Sequence, residues 1–106
     1  MKYFYTSPWT NGKPNHETGS GFGVRIPKAA YDTLFQKNWT EVVLRFEKEE
    51  VIIPITQSFW RKCHELRSQK IGKWLIKKEC DKWPKDNPPE IIMTYEGSNI
   101  FSFQIR

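Results

Sequence analysis

Long apolar stretches are missing from this sequence. No uninterrupted apolar run exceeds three residues, as in Val51-Ile52-Ile53, whereas a membrane-spanning helix needs about 20. The amino-terminal residues Met1-Lys2-Tyr3-Phe4-Tyr5 run into Ser7-Pro8-Trp9 without the apolar core of a secretory signal, so none is expected. Cysteine is scarce: Cys63 and Cys80 are too few for a disulfide scaffold and point to a reduced, cytoplasmic protein. Histidine is equally scarce, with only His16 and His64. Cys63-His64-Glu65 are consecutive and no second close ligand pair follows, so no metal site is expected, and Cys63 reads as a small core residue. The carboxylates gather in Glu41–Glu50, where a hairpin tip accounts for them. Gly19-Ser20-Gly21-Phe22-Gly23 lacks the lysine–serine pair of a phosphate loop and precedes a strand, so these glycines read as turn chemistry. No catalytic constellation remains, and neither an enzyme nor a cofactor is expected.

Aromatic side chains and positive charge are plentiful. Sixteen Phe, Trp and Tyr residues in 106 argue against disorder. The length suits one domain, residues 1–106, with a modest core. The net charge of +5 is unevenly laid out. Residues 1–28 hold four basic groups against one acidic, and residues 57–88 hold nine against four. Between them, residues 29–56 are acidic, with three basic groups against five. Two positive blocks separated by a negative one form the footprint of a polyanion-binding protein; a solvated lysine-rich face is the alternative.

Strands predominate in the pattern. Tyr3–Tyr5 and Phe22–Ile26 read as strands joined by a turn-rich loop or loose hairpin through Pro8, Asn11-Gly12 and Pro14. Pro27 opens a short helix, Pro27–Phe35, with Tyr31, Leu34 and Phe35 on one face. Thr40–Phe46 and Val51–Ile55 form a hairpin about Glu47–Glu50, with Pro54 marking an edge strand or its end. A helix over Phe59–Leu66, capped by Thr56 or Ser58, would place Phe59, Cys63 and Leu66 on one face. Ile71, Trp74 and Leu75 repeat the helical cadence, although Trp74–Ile76 also fits a strand. After a rigid connector from Trp83 to Pro89, Glu90–Tyr95 and Ile100–Arg106 close the chain as a hairpin about Glu96–Asn99. The sum is mainly β with short helices (α+β): a small open pseudobarrel of about seven strands with two or three short helices.

Basic and polar side chains concentrate in two segments. The first carries Lys13, Asn15, His16 and Thr18, and continues to Arg25 and Lys28. The second carries Gln57, Ser58, Trp60, Arg61 and Lys62, followed by Arg67, Lys70 and Lys73. Lysine, serine and threonine suit phosphates, while arginine, asparagine and glutamine read base edges in the major groove.

At Gly23-Val24-Arg25-Ile26-Pro27-Lys28, a short helix and then Thr40–Phe46, the chain resembles B-three-type DNA-binding pseudobarrel domains. These occur in plant transcription factors and as effector domains of restriction endonucleases. Phe59-Trp60, Glu65-Leu66-Arg67, Trp74-Leu75 and Trp83-Pro84 are most similar to the bacterial endonuclease branch. The Ile26-Pro27-Lys28 step is also similar to that of dimeric swapped-hairpin regulators. The leucine/glycine-aspartate turn of the plant members is replaced here by Trp83–Pro89.

The resemblance implies a non-catalytic domain that grips double-stranded DNA with two arms. One arm would run from Lys13 to Arg25, and the other would begin at Thr56–Ser58 and include Arg61 and Lys62. Phosphates would be met by Lys13, Arg25, Lys62, Lys70 and Lys73, and bases read by Asn15, Gln57 and Arg61. A nuclease or another protein would be the partner, and from the short apolar runs no membrane contact is expected. An RNA-binding barrel and a basic protein-interaction module or small inhibitor are the competing expectations.

Overall fold

Alternation along the strands builds the sheet. In the computed structural model, which describes residues 2–106, Val42, Leu44 and Phe46 turn inward from β3 (Glu41–Phe46). Val51 and Ile53 do the same from β4 (Glu49–Pro54), and Phe101 and Phe103 from β7 (Ile100–Ile105). Four further strands are β1 (Tyr3–Thr10), β2 (Phe22–Arg25), β5 (Glu65–Arg67) and β6 (Ile91–Tyr95). They form one seven-stranded sheet in the order β4-β3-β7-β6-β1-β2-β5. Every neighbouring pair is antiparallel except β3 and β7. The sheet curls into a nearly closed barrel whose edges, β4 and β5, approach across Pro54, Ile55 and Leu66. Its Cα radius of gyration, 12.8 Å, is that of a single domain, about 13 Å for 100 residues.

Short helices plug the two ends. At one, α1 (Lys28–Leu34) and α2 (Gln57–Arg61) bring Tyr31, Phe35 and Phe59 together, and Phe35 stacks on Phe101 at 5.1 Å. At the other, α3 (Gln69–Lys77) lays Trp74 against Phe46 and Phe103. Ser68 caps α3 by accepting a hydrogen bond from the Lys70 N–H at 3.1 Å.

Two prolines decide where the barrel splits. In the β1–β6 register, Phe4 faces Met93 and Thr6 faces Ile91. Two residues further, Pro8 would face Pro89, and neither has an N–H to continue the ladder. β1 therefore leaves β6 and pairs with β2 from Ser7 onward, with Ser7 opposite Arg25 and Trp9 opposite Gly23. The hydroxyl of Thr6 donates to the Arg25 carbonyl at the crossover.

Several sequence expectations need correction. Thr6–Thr10 is strand, because a proline sits without cost where no neighbour needs its N–H. The helix expected over Phe59–Leu66 stops at Arg61, and Glu65–Arg67 is β5, paired to β2. Pairing with β2 outweighed a helical cadence only eight residues long. Cys63 is exposed, not core, because it lies in the turn between α2 and β5. Trp74–Ile76 is helical, and Pro54 ends the edge strand β4 as expected.

Candidate nucleic-acid interface

The outward residues of β1, β2 and β5 make a charged strip. Arg25 opposes Glu65 and Gly23 opposes Arg67, and glycine is required at 23 because a Cβ there would collide with the Leu66 carbonyl. Glu65 stands between two arginines: its carboxylate is 3.8 Å from Arg25 Nε and 3.4 Å from Arg67 Nη2. Its side chain is only 9% exposed, against 63% for Arg25 and 53% for Arg67. One buried carboxylate thus orients two cations that still reach solvent, and a net positive charge remains. The Arg67 guanidinium also lies over the Trp9 ring, 4.6 Å from its centroid, which limits its rotation further.

The two polar segments flank this strip. Residues 11–21 enter β2 at the Gly23–Arg67 end, whereas α2 and the turn to His64 meet it at the Arg25–Glu65 end. Ile26 N–H donates to the His64 carbonyl at 2.7 Å, fixing the second segment to β2. His64 Nδ1 in turn donates to the Phe59 carbonyl at 2.6 Å, and its ring stacks 3.8 Å from Tyr31.

Several expected contact residues have structural duties. Asn15 Oδ1 accepts from the N–H groups of Glu17 and Thr18 at 2.8 and 2.9 Å, folding the loop on itself. Thr18 Oγ1 accepts from Ser20 N–H at 3.3 Å. His16 Nδ1 is 2.8 Å from Asp81 Oδ2 and packs edge-on against Phe22, anchoring the loop to the segment after α3. Trp60 is half-buried against Tyr31, whose hydroxyl donates to the Trp60 carbonyl. Lys28 Nζ donates to Asp32 Oδ2 at 2.6 Å; that hydrogen bond, and then the carboxylate's charge, raise its pKa above the ordinary lysine value.

Lys13, Gln57, Ser58, Arg61 and Lys62 remain exposed, and among the described residues none of their charged groups forms an ion pair. Ser58 Oγ lies 3.0 Å from Thr56 Oγ1. Lys70 and Lys73 do not join the strip; they line a cleft with the β3–β4 turn.

Trp9 and Glu65 are the site residues that sequence reasoning missed. The signal for Trp9 was the alternation Tyr3, Tyr5, Ser7, Trp9, readable only if the strand is carried through Pro8. Beside Trp9, Asn11, Gly21, Arg67 and Gln69 line a recess of ≈ 280 Å³. Among the described residues, no three His, Cys, Asp or Glu side chains gather as metal ligands, and no helix is long and apolar enough to cross a membrane. Comparison with protein-family models, curated proteins and solved structures finds no match to this chain.

Proposed function

We propose that this chain is a double-stranded DNA-binding domain of the B-three type, related in role to restriction-endonuclease effector domains and acting beside a nuclease or other protein partner. One observation carries the proposal. Two basic segments some thirty residues apart flank a single strip on which Arg25 and Arg67 are already oriented. Lys13, Lys62 and Arg25 then meet phosphates, while Gln57, Arg61 and Arg67 reach base edges from a barrel face set into the major groove. An oriented arginine suits guanine, whose O6 and N7 accept its paired donors.

Fluorescence anisotropy with a labelled random-pool duplex, beside single-stranded DNA and RNA of equal length, tests this. Duplex affinity should fall steeply with salt, the log–log slope being about −0.9 per neutralised phosphate. Arg25→Ala and Arg61→Ala should each weaken binding by about tenfold, within the range of one charged contact. A flat salt response overturns the proposal, and preference for single-stranded RNA moves it to the RNA-binding alternative.

A further inference from the structure

Lys70, Lys73 and Lys77 are left without a role in the strip. They form one stripe on α3 at i, i+3 and i+7, with Cα positions rising by about 4.5 and 6 Å. Together with Phe46, Lys48 and Trp74 they line a cleft of ≈ 500 Å³ between α3 and the β3–β4 turn. That is within the size range of small-molecule sites, about 300–1,000 Å³. Glu47 and Glu49 also line the cleft, but Glu47 is already paired with Lys78. Glu49 is then the one remaining carboxylate facing Lys48, Lys70, Lys73 and Lys77, and none of these lysines forms an ion pair among the described residues.

The second observation is independent of charge. Trp74 is 7% exposed, and its indole Nε1–H is the buried side-chain donor that meets no acceptor among the described residues. Buried donors are almost always paired, and indole nitrogen can only donate. The lysines favour an anionic oxygen, and an acceptor lodged against the Trp74 ring, which lines the same cleft, is the kind of group its indole N–H lacks.

We propose that this cleft binds the phosphates of a small di- or triphosphate ligand, at a site separate from the DNA-gripping strip. Several acceptor oxygens on one compact group match several lysines better than a single carboxylate does. Size follows from the far wall: a long polyanion laid across the cleft would run onto Glu47, Glu49 and Glu50, whereas a small one ends between the helix and the turn.

The test is a ¹H–¹⁵N titration of the full chain with pyrophosphate, with ATP and with a DNA duplex, using chloride at matched ionic strength as control. The Trp74 indole cross-peak is assigned by its loss in Trp74→Phe. Pyrophosphate and ATP should move it saturably, and Lys73→Ala/Lys77→Ala should weaken that binding by about tenfold while keeping the amide dispersion of the parent. Equal affinities would identify the phosphate chain as the ligand, and tighter ATP binding would add the nucleoside; both support the cleft. An unmoved indole peak, an equal shift with chloride, or shifts confined to Lys13, Arg25 and Arg61 overturn the proposal. The double variant should bind duplex like the parent. Parallel loss of duplex and pyrophosphate binding would merge the cleft with the DNA face and overturn the claim of a separate site. Failure of duplex binding alone leaves the pyrophosphate result intact, so the two proposals fail separately.

Discussion

Cys63 sits in an exposed turn, while Cys80 is half-buried with its Sγ 3.4 Å from the Lys78 carbonyl. In the native protein Cys63 should therefore react first with a thiol reagent, and Cys63→Ser should change stability by less than about 0.5 kcal/mol. A slow Cys63 would place it in the core after all. Asn15 behaves oppositely: its side chain looks free in sequence yet holds two backbone N–H groups. Asn15→Ala should cost about 1 kcal/mol in urea unfolding, because the loop loses its local acceptor. No change would return Asn15 to the role of a free contact residue. Side-chain type showed which residues have DNA-binding chemistry. It did not show which are already engaged, because Asp81 and His16 meet across sixty-five positions of chain.

Among the elements, the hairpins β3–β4 and β6–β7 were legible because period-two alternation and a turn of charged or small residues agree there. β5 was not. Three residues, Glu65–Arg67, carry no pattern of their own and become a strand by pairing with β2. The contact between α3 and the 11–21 loop was equally hidden. Gly72 meets Gly19 backbone to backbone, and a Cβ on Gly72 would collide with the Gly19 carbonyl. Gly19 also holds φ +83°, a conformation other residues adopt at a cost. Gly72→Ala should thus destabilise the domain by about 1–3 kcal/mol through overpacking. Thermal unfolding reads the loss, and an unchanged midpoint would show that the loop yields freely.

On the scale of the molecule, Phe101 joins the layers. It is fully buried and its ring meets Phe4, Phe35, Trp39 and Tyr95, residues drawn from β1, the end of α1, the loop before β3 and β6. Phe101→Ala should remove about 3–5 kcal/mol, a large part of a total of about 5–15. Denaturant titration should show one cooperative transition moved to lower concentration by both fluorescence and circular dichroism. Separate transitions for the two probes would mean that the barrel does not unfold as a unit. Composition and periodicity by themselves determined a mainly β domain, its hairpins, its inward aromatic positions and its two basic blocks, because these depend on neighbours close in the chain. Only the tertiary structure decided that β1 changes partner between Thr6 and Ser7, that Glu65 binds two arginines, and that the α3 lysines line a cleft with Trp74 and not the strip. Each of these depends on groups brought together from distant positions, and the pairing of strands determines which groups meet.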